Sequence, residues 1–236
     1  MKLLAFDTST DRLSIALTCE VAGQARLWQH SAEGGAKAST DLIPAIEALM
    51  AQAGLRFEDL DAIAFGQGPG SFTGLRTACA VAQGLGFAAN RLLLPVDTLL
   101  AVAEEARFLY APEASSVRVQ ALLDARMDEV YAANFSWNAQ HWTHEGDVRL
   151  HRPEATDVQA HEVMAGNVFE VYGERLPGAP EQVRWPAWPT ATAMLRLAPQ
   201  LLAAGAAVNA AQALPRYIRD KVAQTTQERE AAKAQT

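Results

Sequence analysis

The stretch Gly66-Gln67-Gly68-Pro69-Gly70-Ser71-Phe72-Thr73-Gly74-Leu75-Arg76 decides how this chain is read. It joins an apolar strand, Ala62 to Phe65, to a helix that opens on Ser71 or Thr73. Such a loop leaves backbone N–H groups unpaired at a helix N-terminus, a natural seat for an anion. The same glycines equally suit a corner where two backbones pack closely. No Gly-Lys-Ser/Thr ending follows, so this is not a Walker phosphate loop, and the glycine spacing is not the dinucleotide fingerprint. Two readings stand: a close-packed strand–turn–helix corner, or an anion site.

Downstream, the helix runs from about Phe72 to Ala89 and carries Gly74, Ala78, Ala82 and Gly86 four residues apart. Side chains this small on one face let another backbone approach, either a partner's or that of the chain's own sheet. Upstream, Lys2–Phe6 reads as a buried strand ending at Asp7, and Leu13, Ile15 and Leu17 alternate with small or polar residues as a half-buried strand does. Ala25–His30 adds a third strand, and Glu33 to Lys37 is a glycine-containing loop. A helix capped by Thr40 or Asp41 follows, with Pro44 near its first turn, apolar Leu42, Ile43, Ile46, Leu49 and Met50 at helical spacing, and Gly54 as its stop.

The opening pattern then recurs. After a short strand, Leu92–Val96, and a helix from Thr98 to about Leu109, Val117–Leu123 is an apolar strand ending at Asp124, and Val130–Phe135 pairs back on it. Asp7 and Asp124 thus hold equivalent places in two strand–Asp–turn–strand units. The repeat points to an α/β chain with a duplicated RNase H-like or actin-like (ASKHA) fold in two lobes. Residues 1–100 form the N-terminal lobe, joined by the tail 208–236, and 101–207 form a smaller, degenerate C-terminal lobe. Trp137 to Pro189 reads as irregular, Ala191–Ala204 as a helix, and Pro215 to Thr236 as a polar, charged tail.

Composition narrows the function. The net charge of −7 argues against a free-standing nucleic-acid binder, since phosphate affinity comes from Lys and Arg. Cys19 and Cys79 lack metal-type spacing and read as reduced, packed thiols. The opening MKLLAFDTST meets a charge too early for a signal peptide, and no apolar run is long enough to span a bilayer. A cytoplasmic protein is expected.

Three groups of residues invite chemistry. Asp7, Thr8 and Ser9 sit where actin-like phosphotransferases place an aspartate and hydroxyls around phosphate and a hard cation. With Gly68, Gly70, Ser71 and Thr73 they form the candidate nucleotide or anion site. The alternative is a turn whose hydroxyls satisfy the backbone. Ser9 stands where the kinase loop has glycine. His141 and His144 read as a surface pair, because zinc needs three or four converging ligands. In the tail, Arg216, Tyr217, Arg219 and Lys221 form a basic and aromatic patch, either a solvated terminus or a docking element for a partner or RNA phosphates.

Together, Phe6-Asp7-Thr8-Ser9, Gly68 to Arg76, Asp124-Ala125-Arg126 with Glu129-Val130-Tyr131, and Pro215-x-Tyr217-x-Arg219 resemble the TsaB (YeaZ) family over nearly the whole chain. The resemblance implies a role in forming the threonylcarbamoyl group on N6 of the adenosine next to the anticodon, in tRNAs reading codons that begin with A. It implies a catalytically inactive paralogue of TsaD that scaffolds that enzyme, recruits the ATPase TsaE and meets tRNA only through the complex. The chain would pair with itself when alone, with no intrinsic cofactor or metal, and ATP or ADP would lodge only at the complex interface. The pairing helices would be about Asp41–Ala53 and Phe72–Ala89, and the interface residues Leu42, Ile46, Leu49, Met50, Gly74, Arg76, Ala78, Ala82 and Gly86. TsaD-like enzymes hold their metal with a His-x-x-x-His motif, and Thr98 and Val102 take those places here. Neither replaces imidazole. The competing expectation is an actin-like ATPase or small-molecule kinase using Asp7 and the glycine loop; a peptidase reading has no nucleophile set behind it.

Overall fold

The computed structural model describes residues 1–21, 23–157, 163–178 and 182–219. Its N-terminal sheet holds β1 (Leu3–Asp7), β2 (Arg12–Val21), β3 (Gln24–Glu33), β4 (Ala62–Gly68) and β5 (Leu92–Asp97), and its second sheet β6 (Val117–Arg126), β7 (Glu129–Trp137), β8 (Trp142–His151), β9 (Val163–Gly166) and β10 (Val183–Pro186). The helices are α1 (Ala38–Ala53), α2 (Phe72–Ala89), α3 (Thr98–Tyr110), α4 (Phe169–Tyr172) and α5 (Ala191–Ala203).

The two sheets repeat one another. The order is β3-β2-β1-β4-β5 in the first and β8-β7-β6-β9-β10 in the second. In each, the first three strands run antiparallel as a meander, the fourth pairs parallel with the first, and the fifth parallel with the fourth. This is the duplicated, two-lobed α/β fold of the RNase H and actin type. Each sheet is followed by a helix, α3 or α5, and these two pack between the sheets.

Alternation along β1 explains why it is buried throughout. Leu3 and Ala5 face the interlobe core with α3 and α5, while Leu4 and Phe6 face a second core under α1 and α2. Strands covered on both faces read as continuous apolar runs. α2 begins at Ser71, whose hydroxyl accepts from the Gly74 N–H, and ends on Asn90 in the left-handed region at φ 52°. α1 ends at Gly54 in the same conformation, φ 66°.

Three expectations need correction. α1 starts at Ala38, continuing a 3-10 turn at Gly35–Lys37, so neither Thr40 nor Asp41 caps it and Pro44 lies inside the helix. Pro44 is tolerated because it is on the exposed side. Residues 137–189 are not irregular, since β8, β9, α4 and β10 lie within them. The interface residues inferred on α1 and α2 face inward. Leu42, Ile46, Leu49, Met50, Ala78 and Ala82 belong to the buried core on the chain's own sheet. A Cβ at Gly74 would stand 1.8 Å from the Thr8 carbonyl oxygen, and one at Gly86 2.7 Å from Leu93 Cδ2. The small-residue stripe therefore brings α2 down onto β1 and β5. Arg76 alone of that set is exposed.

Beyond α5, Val208 pairs with Leu93 at the edge of β5 by two backbone bonds of 2.8 and 2.9 Å. Residues 213–219 then return across the mouth between the lobes.

Candidate functional site

Strand ends position the site. β1 and β6 are central in their sheets, and the loops after them face each other across the crevice at the carboxyl ends of the strands. Asp7 Oδ1 accepts from the Ser9 N–H at 2.9 Å and the Ser9 hydroxyl at 2.7 Å. Asp124 Oδ1 accepts from the Arg126 N–H at 2.8 Å in the same way. The repeat extends to the hydrogen bonds of its turns.

The environments of the two carboxylates differ. Asp7 is fully buried, its Oδ2 has no hydrogen-bond partner among the described residues, and a Cβ at Gly66 would fall 1.9 Å from that oxygen. Burial pushes its pKa up to about 6, against the opposing pull of the Ser9 hydrogen bonds. Asp124 faces the cleft, where Tyr172 Oη donates to Oδ1 at 3.0 Å and the Arg126 guanidinium stands 3.1 Å from Oδ2. Burial, then that carboxylate, pushes the Tyr172 phenol up to about 12.

The glycine loop is held by close backbone contacts. The Thr8 hydroxyl donates to the Gly74 carbonyl at 2.7 Å, the Ser71 N–H donates to the Ser9 carbonyl at 2.7 Å, and the Thr98 hydroxyl donates to the Pro69 carbonyl. A Cβ at Gly70 would meet the Ser9 carbonyl oxygen at 2.6 Å, and one at Gly68 the Arg216 carbonyl oxygen at 2.5 Å. Of the seven residues expected to hold an anion, Ser9, Gly70 and Ser71 line the cleft. Asp7 and Thr8 lie behind its wall, Gly68 lies beneath the tail, and Thr73 is exposed on α2.

The cleft measures about 360 Å³. Its C-terminal-lobe wall includes Asp124, Arg126, Met127, Asn167 and Val171, with Trp188 beyond them. Sequence reading missed Asn167, Val171 and Trp188, which sit in the stretch taken as irregular and carry no local signal. The tail residues are engaged within the chain: Arg216 Nη1 pairs with Asp97 Oδ2 at 3.0 Å, Tyr217 packs on Phe72 with ring centroids 5.3 Å apart, and Arg219 pairs with Glu129. Lys221 lies outside the described residues.

The two positions expected to stand in place of metal-binding histidines are interior. Thr98 and Val102 are both fully buried on α3. Among the described residues no three His, Cys, Asp or Glu side chains converge as a metal site. His141 contacts the Asn138 amide at 3.1 Å, while His144 stacks on Phe135 with centroids 4.8 Å apart.

Comparison with known proteins follows the same line. The profile of the TsaD family, described as tRNA N6-adenosine threonylcarbamoyltransferase, matches residues 29–149. The tRNA threonylcarbamoyladenosine biosynthesis protein TsaB of Escherichia coli (strain K12) is 30% identical over 242 aligned positions, spanning 94% of this chain and 96% of that protein. The chain belongs to the TsaB family. The TsaB of Haemophilus influenzae is 41% identical over 132 residues, 56% of this chain and 52% of that relative. The solved structure of YeaZ from Pseudomonas aeruginosa superposes with a TM-score of 0.80 at 37% identity, over 92% of this chain and 99% of that one.

The helices over the first sheet also present an outward face. On α2, Thr73, Ala80, Gly84, Phe87 and Ala88 are exposed, with Thr77 and Val81 half-buried between them. Phe87 is 84% exposed, and a Cβ at Gly84 would meet nothing within 4 Å. On α1, Ile43, Pro44, Ala48 and Ala51 face outward. No helix among the described residues is long and apolar enough to cross a membrane.

Proposed function

We propose that this chain acts in tRNA threonylcarbamoyladenosine biosynthesis as a non-catalytic partner of TsaD. The observation that carries the reading is the outward face of α1 and α2: small and apolar at Ala48, Ala51, Ala80 and Gly84, open in front, and ending in an exposed Phe87. Exposed apolar patches of this kind mark protein–protein surfaces. Small residues let a partner helix come close, and Phe87 supplies an aromatic anchor. This outer face replaces the inward stripe as the pairing surface, for TsaD or for a second copy of the chain.

The non-catalytic role rests on chemistry. Thr98 and Val102 offer no imidazole where TsaD-like enzymes place their metal ligands, and valine has no lone pair to give. Asp7, the carboxylate an actin-like kinase would use, is sealed behind Gly66 and away from the cleft. That weighs against the ATPase or kinase reading. The remaining roles, recruitment of TsaE and nucleotide held only at the complex interface, extend the same reading from the family to this chain.

Reconstitution tests it. Threonylcarbamoyl transfer to tRNA is measured with the chain alone, with TsaD and TsaE alone, and with all three. The reading expects transfer only in the complete mixture and no ATP turnover by the isolated chain. Transfer or steady ATP hydrolysis by the chain alone would overturn it.

A further inference from the structure

We propose that residues 213–219 form a latch that sets the width of the interlobe cleft, with Arg219 as its closing contact. Apart from the latch, the lobes are joined by two shared helices and, at the edge of the cleft, by Arg12, whose guanidinium lies 3.5 Å over the Trp188 ring. α3 and α5 fill the core between the sheets, and the Ala191 N–H donates to the Ser14 hydroxyl at 2.9 Å. A pair of lobes packed on two shared helices can hinge about them. The latch crosses the open end.

Its N-terminal-lobe half is anchored many times over. The Ala213 carbonyl accepts from Gln83 Nε2 at 2.8 Å, and the Leu214 carbonyl from Gln67 Nε2 at 3.0 Å. The Arg216 N–H donates to the Gln67 carbonyl at 2.8 Å, and its guanidinium pairs with Asp97. Tyr217 lies on Phe72 and accepts at its hydroxyl from Arg76 Nε at 3.0 Å, while Arg76 itself covers the Phe72 ring at 3.8 Å. Gly68 is required here, because the Arg216 carbonyl occupies the place of its side chain.

The C-terminal-lobe half is concentrated on one side chain. Ile218 packs on the interlobe core, and Arg219 reaches the β6–β7 turn, where it pairs with Glu129 and lies 3.4 Å from both the Arg126 carbonyl and Met127 Sδ. That turn is unusual: Arg126, Met127 and Asp128 all have positive φ, at 60°, 54° and 66°. Three non-glycine residues in the left-handed region persist only where the surroundings hold them. Arg126 is tied through Asp124, Asp128 through Arg175, and Arg219 grips the turn from the latch. The asymmetry predicts where the device opens: the N-terminal-lobe half stays seated, and release at Arg219 frees the turn and widens the cleft.

The test uses the full chain carrying spectroscopic labels at Asp11→Cys and Glu170→Cys, which line the cleft from opposite lobes, with the native cysteines buried. Arg219→Ala should broaden and lengthen the label–label distance relative to the parent. Glu129→Gln should do so less, and the exchange Arg219→Glu with Glu129→Arg should narrow it again. In parallel, amide hydrogen exchange at 127–129 and 9–11 should rise about tenfold in Arg219→Ala with the β1 and β6 interiors unchanged. An unchanged distance distribution in both single variants overturns the latch. So does faster exchange spread evenly through both cores, which would mark Arg219 as a general stabiliser.

Discussion

The two lobes share a strand order and even the hydrogen bonds of their aspartate turns, yet they are covered differently. On the first sheet, the connections before β4 and β5 are full helices, α1 and α2, and they bury Leu4, Phe6, Ile63 and Phe65 beneath them. On the second, the described part of the connection before β10 holds the four-residue α4, and that of the one before β9 only a 3-10 turn, Pro153–Ala155. Its outer core is accordingly small: Leu122, Val130, Ala132, Met164, Val168, Tyr172 and Leu176. Among the described residues, the same topology therefore gives the first lobe a broad helical outer surface and the second a single short helix.

The largest expected effect separates these outer layers. Ala82→Arg places a charge in the core between α2 and the first sheet, and breaking burial in this way should cost about 4 kcal/mol or more in urea denaturation. Val171→Arg, on the exposed side of α4, should shift stability by about 0.5 kcal/mol or less. Equal, small effects at both sites would erase the contrast between the lobes.

The paired aspartates give the next contrast. Asp7 has a folded-state pKa of about 6 against an ordinary value of 3.8, so the folded chain keeps a proton that the unfolded chain releases. Stability should therefore fall as pH rises from about 4 to about 6, and the cost should be complete above that window. Asp7→Asn removes it. The variant should exceed the parent by up to about 3 kcal/mol at neutral pH, with no advantage below pH of about 4. Asp124 instead faces the cleft, and Asp124→Asn weakens its contacts with Tyr172 and Arg126 there. Denaturation curves at several pH values decide it, and an Asp7→Asn variant that gains nothing at neutral pH would contradict the burial assigned to Asp7.

The duplication was readable from the chain because β1 and β6 are buried runs ending in aspartate, each followed by a strand returning through a short turn. β8 escaped because it is an edge strand with half of its residues exposed, and the alternation of Trp142, Val148 and Leu150 with polar residues is broken by His144 and Gly146. β9 and β10 are four residues each, and β10 ends in proline, which sequence reads as a break. At the site, the glycine loop and Asp7 were found, but their burial was not. Whether Gly74, Ala78, Ala82 and Gly86 face a partner or the chain's own sheet depends on where Thr8 and Leu93 lie, and spacing along α2 says nothing of that. Arg216 and Arg219 looked like free cations because Asp97 and Glu129 are more than ninety residues away or close to it, at separations of 119 and 90.

A small expected effect on stability accompanies the most direct test of the docking face. The double variant Ala80→Arg, Gly84→Arg alters the outer side of α2, where Gly84 faces open space, and should leave unfolding free energy within about 1 kcal/mol of the parent. Parent and variant are each mixed with TsaD, and the mass of the complex is followed by light scattering. A heterodimer is expected with the parent, and separate proteins with the folded variant. A heterodimer of undiminished affinity with the variant would contradict the claim that this chain meets its partner through the outer face of its first lobe.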